Sequence, residues 1–479
     1  MAVEDAIITG PKTIPLDEAL DRTNLRTGSL SFPEIIGHSV ANMAPTVTPA
    51  LQIALVAGFA GLGTWLSFLI ATIGVVLVAA NIGVLARRHP LAGSYFVYIG
   101  RTLGSYPGMM AGLCMLSTYI ALTAVCVFGG SIFLDNTLTA LNLARLNPPL
   151  DLFIPVFTAI AWFCAYRDVR LSSRISLITE GISMAIIVIV TAIVVIKHGT
   201  IIDTKQLNIS AMSFGGVTTA LALSVLSFVG FESAATLAQE ARDPRKSVPR
   251  SILLSAVIGG GFFVIIAYCM VMGMGDDTNA IANSASPFVD MTKRAGLGQA
   301  AAVVYAAATF GMFAASVACF TAVSRLMFSL ARYGVLHTIL GRVHLQHQTP
   351  HVAVSLAAAM VVVICYALSA VAAPMDAFGY AGTFSVFGCV VVYLLMSVVA
   401  PLSLWKTREM KPGHVVLGAC GVVLMAFVLF TSIYPAPPAP YNYIPYIFLA
   451  YLVLGSLWYV AVSRHGEHVK NGLAYDLEV

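Results

Sequence analysis

Charge is scarce in this chain of 479 residues: 10% are Asp, Glu, Lys or Arg, against 58% hydrophobic. That balance leaves apolar stretches of ~20 residues, the length that spans hydrocarbon, along nearly the whole chain. The protein is therefore expected to be an integral membrane protein, multi-pass in the cytoplasmic membrane with the lipid bilayer as its surroundings. The short alternating strands of a membrane barrel are missing, which leaves helices. No His-Glu-x-x-His, Gly-x-Ser-x-Gly or Gly-Lys-Ser/Thr occurs. The usual parts for metal hydrolysis, serine chemistry and ATP-driven pumping are thus lacking, and an enzyme is not expected. The cysteines, at 114, 126, 164, 269, 319, 365, 389 and 420, all lie in apolar runs without metal-type pairing. They read as small buried hydrophobes, and neither a metal nor another cofactor is expected. The first thirty residues are polar, with Asp5, Lys12, Asp17, Glu18, Asp21, Arg22 and Arg26, and show no apolar core before a cleavage site. The first span is expected to direct insertion itself.

About twelve transmembrane helices are predicted, at 34–59, 63–85, 107–134, 150–166, 175–196, 213–238, 251–274, 299–331, 352–372, 377–401, 414–433 and 443–463. With the N-terminus inside, all 26 Lys and Arg except Arg145, Lys197, Lys205, Lys293 and Arg294 fall on the cytoplasmic side. Both termini are then cytoplasmic. The cations are spread over separate loops, so the net charge of +4 gives no reason to expect a nucleic-acid partner. Residues 1–31 and 464–479 read as tails, 32–404 as the core and 405–463 as two appended helices. Breaks are expected at Arg87-Arg88-His89-Pro90, across Gly275–Gly298 and at Pro435–Pro440. The segment Gly275–Gly298, with Ile281, Phe288, Val289 and Met291 among polar residues, reads as a connecting loop or a partly helical outer gate.

Two spans carry residues that a plain membrane helix does not need. In span 1, Asn42-Met-Ala-Pro-Thr-Val-Thr-Pro49 sets two prolines among polar side chains. Pro45 lacks a backbone donor and crowds the preceding turn, so the helix should open between Asn42 and Thr46. In span 6 the weak point is Phe228-Val-Gly-Phe-Glu232, where Gly230 loosens the helix and a membrane-buried acid needs partners. The two spans lie five apart and cross in opposite directions, as expected for an inverted repeat of spans 1–5 and 6–10. The backbone N–H groups freed at each break should carry partial positive charge toward the midplane and receive an anionic group.

Asn42, Ala44, Pro45, Thr46, Phe228, Gly230, Phe231 and Glu232 are accordingly the substrate-binding candidates. Glu232 reads either as a partner for a substrate amine or a proton, or as a structural acid on the freed amides. Glu180, a turn and a half into span 5, is a second proton-coupling candidate and could equally form a packing salt bridge. Phe228 and Phe231 could close over cargo, and Tyr119 and Tyr380 are weaker gate candidates. His38 reads as packed or solvated, and Ser316 as weak support for a sodium site.

Ser227-Phe-Val-Gly-Phe-Glu-Ser-Ala234, Glu240-Ala-Arg-Asp-Pro-Arg-Lys-Ser-Val-Pro-Arg250 and Pro90-Leu-Ala-Gly-Ser-Tyr-Phe-Val-Tyr98 resemble the amino acid–polyamine–organocation superfamily. The resemblance covers roughly residues 32–463. It implies an all-α, five-plus-five inverted-repeat fold of the leucine-transporter type with interrupted helices 1 and 6, plus two C-terminal helices. It also implies alternating access and amino acids or related amines as substrates. The chain departs from relatives in having Asn42-Met43-Ala44 for a glycine-serine-glycine break, Ser183 where some proton-coupled members place lysine, and Leu226 where several cationic exchangers place tryptophan. A permease moving a small amino acid by proton symport is therefore expected. The alternatives are an amine or polyamine carrier, an amino-acid exchanger and a non-transporting nutrient sensor.

Overall fold

The computed structural model describes residues 25, 27–88, 94–143, 150–434, 436–437 and 439–465. Most of the N-terminal tail, His89 to Gly93, Arg145, Pro435, Pro438 and the C-terminal tail with Lys470 lie outside the described residues, including the first part of the Pro90–Tyr98 motif.

The described residues are helical, without a strand. Among the described residues, ten helical segments are long and apolar enough to cross a membrane. One of them, Phe32–Arg88, holds both of the first two expected spans. Span 1 comprises α1 (Phe32–Met43), a π-helical turn (Thr48–Gln52) and α2 (Ile53–Ala60). Ser31 and Glu34 cap α1 reciprocally, and Pro33 sits in its first turn, where a missing N–H costs nothing. After α2 the chain reverses at Gly61, in the left-handed region at φ +55°, and enters α3 (Thr64–Arg88), span 2.

A short helix absent from the predicted spans, α4 (Ser94–Leu103), leads into α5 (Ser105–Ala140), span 3. Spans 4 and 5 are α6 (Leu150–Arg167) and α7 (Val169–His198), the latter N-capped by Asp168. Span 6 begins as α8 (Phe214–Thr219) and α9 (Leu221–Leu226), then passes through turns into a 3₁₀ segment, Ser233–Leu237. Span 7 is α10 (Pro244–Gly273). Gly275–Gly298 carries two short helices, α11 (Thr278–Ala282) and α12 (Pro287–Arg294), and Ile281, Phe288, Val289 and Met291 are buried there. The remaining spans are α13 (Ala301–Arg332), α14 (His351–Ser369), α15 (Pro374–Lys406), α16 (Pro412–Thr431) and α17 (Ile444–His465).

The apolar length of α5 is buried throughout, between α13 and α15, so it forms the centre of the molecule. Exposed Leu, Ile, Val and Phe side chains are concentrated on outer helices such as α6, α7, α16 and α17, where lipid is the solvent. Two sequence expectations need correction. Cys420 is exposed, unlike the other seven cysteines, because α16 is peripheral. Arg325, counted with the loop cations, is wholly buried on α13 and paired with Glu240 at 2.6 and 2.9 Å. A bidentate carboxylate compensates the desolvated guanidinium.

Candidate functional site

The span-1 break begins at Ala44, which ends α1 in the left-handed conformation, φ +49° and ψ +60°. Alanine resists that region, so Pro45 and the surrounding packing must impose it. The amide of Ala44 bonds Ala41 O and that of Val47 bonds Ala44 O, which makes the break two tight turns. Span 6 breaks at Gly230, φ +106°, with a chain of i→i−3 bonds from Phe228 to Ala235 replacing the helical ladder. A Cβ on Gly230 would lie 2.8 Å from Asn42 O, so the two breaks touch backbone to backbone. Only glycine meets both the dihedral and the approach.

The spans run antiparallel: Leu30, before α1, forms a parallel bridge with Ala241 at the end of span 6. At the opposite end, a Cβ on Gly216 would collide with Phe59 O. Each half of span 1 therefore lies against a half of span 6.

Around this junction, Asn42, Ala44, Pro45, Thr46, Phe228, Gly230, Phe231 and Glu232 are all buried. Both Glu232 carboxylate oxygens are engaged: Tyr119 Oη donates to Oε1 at 2.9 Å and Tyr393 Oη to Oε2 at 2.6 Å. Tyr95 Oη donates to the Glu232 backbone carbonyl at 2.7 Å. Four elements thus converge on one acid: α4 (Tyr95), α5 (Tyr119), α15 (Tyr393) and span 6 itself. Phe231 packs on Tyr393, ring centroids 5.3 Å apart, and Phe228 packs edge-to-face on Phe263 at 5.1 Å. Tyr380 stands apart, against Tyr441.

Glu180 differs from Glu232. Its Oε1 accepts the N–H and the hydroxyl of Thr46, both at 3.3 Å, while Oε2 is buried without a partner. Among the described residues it forms no ion pair, and Arg174 is taken by Glu34 at 2.7 Å. Gly311 on α13 makes room for the contact, since a Cβ there would lie 1.9 Å from Thr46 Oγ1 and 3.0 Å from Glu180 Oε2. Asn42 accepts the Cys319 thiol at Oδ1 and leaves Nδ2 buried without a partner. Ser316 spends its hydroxyl on Met312 O, one turn back. His38 is packed, with both ring nitrogens buried.

Freed amides were expected at both breaks, and most are occupied. In span 6 the amide of Ser233 bonds Gly230 O, that of Ala234 bonds Ser39 Oγ, and that of Ala235 bonds Glu232 O. In span 1, Thr46 N is held only by the two-oxygen group of Glu180, at a distance longer than the usual 2.9–3.0 Å. Tyr95, Tyr393, Gly311 and Ser39 were not singled out from sequence, because their partners are distant in the chain and no local pattern marks them.

The two interrupted helices thus meet inside a bundle of helices long and apolar enough to cross a membrane. The chain belongs to the amino acid permease family, whose profile matches residues 37–474. It is 27% identical over 331 residues to the branched-chain amino acid permease BcaP of Lactococcus lactis, covering 66% of this chain and 70% of that protein. It is 24% identical over 315 residues to BcaP of Bacillus subtilis, covering 61% of this chain and 65% of the relative. Against the low-affinity putrescine importer PlaP of Escherichia coli K12 it is 24% identical over 294 residues, covering 59% and 63% respectively.

Proposed function

We propose that the protein carries a small amino acid across the cytoplasmic membrane by alternating access, with a proton as the coupling ion and both termini cytoplasmic. Spans 1–5 and 6–10 are read as the inverted repeat, and the junction of the two breaks as the site. The observation that carries this reading is the buried Glu180, with one oxygen weakly held by Thr46 and the other free. An ionised carboxylate there occupies the Thr46 amide and hydroxyl that a substrate carboxylate needs. Protonation discharges Glu180 and releases those donors, so proton and substrate enter together.

Glu232 serves a different role in this scheme. Its oxygens are already satisfied by Tyr119 and Tyr393, which suits a closing cluster that joins span 6 to α5 and α15. Opening one side requires those hydroxyls to part from Glu232 and expose it to the substrate amine. Phe228 and Phe231, packed on α10 and α15, would move with the break.

A small aliphatic substrate fits a junction with no Lys or Arg in 42–46 or 227–232 and with Ala44, Gly230 and the two phenylalanines as its apolar part. The similarity to BcaP, named for branched-chain amino acids, supports the same reading. PlaP, named for putrescine, supports the alternative of an amine carrier. Uptake of a labelled amino-acid panel into proteoliposomes, with and without a proton gradient, tests the proposal. Competition by amines lacking a carboxylate, equal to that by amino acids, would instead favour the amine carrier.

A further inference from the structure

Beyond the contact of Asn42 with Gly230, spans 1 and 6 are fastened by side chains on each side of the junction. Toward the N-terminal end, Ser39 Oγ on α1 accepts the Ala234 N–H at 2.8 Å and lies 3.5 Å from Ser233 Oγ. Both serines are wholly buried. The Ala234 amide begins the 3₁₀ segment and would otherwise be an unpaired buried donor. On the other side, Gln52 Oε1 accepts the hydroxyl of Ser227, just before the break, and that of Thr48 at 3.3 Å. Between the fasteners, Gly230 brings no side chain of span 6 to the contact and lies against the backbone carbonyl and the side-chain Cγ of Asn42.

This arrangement is a pivot with one side-chain tie on each side, the Ser39 side carrying in addition the backbone bridge of Leu30 to Glu240 and Arg242. Each tie rests on one buried acceptor oxygen, whose donors would turn to water when that side opens. We propose that Ser39 and Gln52 are positioning residues that hold the two sides of the junction closed, Ser39 toward the N-terminal end and Gln52 toward the other. Among the described residues neither is hydrogen-bonded to Glu180 or Thr46, so they set which side opens rather than what is bound. The inference rests on the alternating-access reading, but its test needs neither substrate nor gradient.

The test uses the purified full chain with Cys420→Ser to remove the exposed thiol, and one reporter on each side. Thr236→Cys reports on the N-terminal side and Ala50→Cys on the other; both positions are buried in this closed arrangement. Labelling by a soluble maleimide is compared with the reporter-free background. Ser39→Ala should speed labelling of Thr236→Cys about tenfold, equivalent to about 1.4 kcal/mol, without speeding Ala50→Cys. Gln52→Leu should do the reverse. Ser39→Thr, which keeps the acceptor, should label at the parental rate. Equal acceleration of both reporters by either deletion, no acceleration by either, or a Ser39→Thr rate matching Ser39→Ala would overturn the proposal. If Ser39→Ala does not fold, the one-sided effect of Gln52→Leu and the behaviour of Ser39→Thr still decide it. Directional labelling alongside failed gradient-driven uptake would strike the proposed function and leave this inference standing.

Discussion

Replacing Glu180 with glutamine separates proton coupling from binding with little change in shape. The neutral amide stands in for the protonated acid and leaves the Thr46 donors open to substrate, and its NH₂ takes the place of the unpartnered Oε2 beside Gly311. The buried unpaired oxygen costs about 1–3 kcal/mol in the parent, so a neutral side chain is not expected to unfold the protein. What is lost is titration. For one proton per substrate, each pH unit across the membrane supplies about 1.4 kcal/mol, enough for about tenfold accumulation. Proteoliposomes containing the parent should therefore concentrate substrate about tenfold per pH unit. Those containing Glu180→Gln should only equilibrate it, while counterflow of labelled against unlabelled substrate persists. Tenfold accumulation by the variant would refute the assignment of Glu180.

Tyr393→Phe and Tyr119→Phe each remove one donor from the Glu232 carboxylate, at about 1.5–3 kcal/mol for a charge-assisted bond; thermal unfolding should show each loss, and the double variant should be non-additive. Gly311→Ala should depress uptake strongly with a modest change in melting temperature, because its methyl displaces Thr46 from Glu180; unchanged uptake would contradict the site. Ala44→Gly should preserve the fold and raise thermal stability, since relief of a left-handed alanine is worth about 1 kcal/mol. Glu240→Gln should cost about 3–5 kcal/mol by stranding the buried Arg325, read as loss of folded protein.

The spans and the two breaks are legible in the sequence because their causes are local. Apolar run length sets each crossing, Pro45 removes a donor, and Gly230 permits a dihedral denied to other residues. Even the segment Gly275–Gly298 signals its buried side through Ile281, Phe288, Val289 and Met291. What closes the site is non-local. Tyr393 lies 161 residues from Glu232, Tyr119 lies 113 away, and Thr46 is 134 residues from Glu180. A tyrosine in a membrane helix carries no local mark of such a partner, and Gly311 resembles any small residue at a helix contact until Thr46 is placed against it. Arg325 illustrates the opposite error: the rule that places cations outside the bilayer cannot see a carboxylate 85 residues earlier that neutralises one within the protein. The expected free amides at the breaks are mostly bonded because a buried donor seeks the nearest acceptor, including Ser39.

The most direct test is an experimental map of the protein with a transported amino acid bound. The account predicts density for that molecule where Asn42–Thr46 meets Phe228–Glu232, its carboxylate on the Thr46 amide and Glu180 displaced from it. Density elsewhere, or an unbroken helix through Ala44 or Gly230, would contradict it.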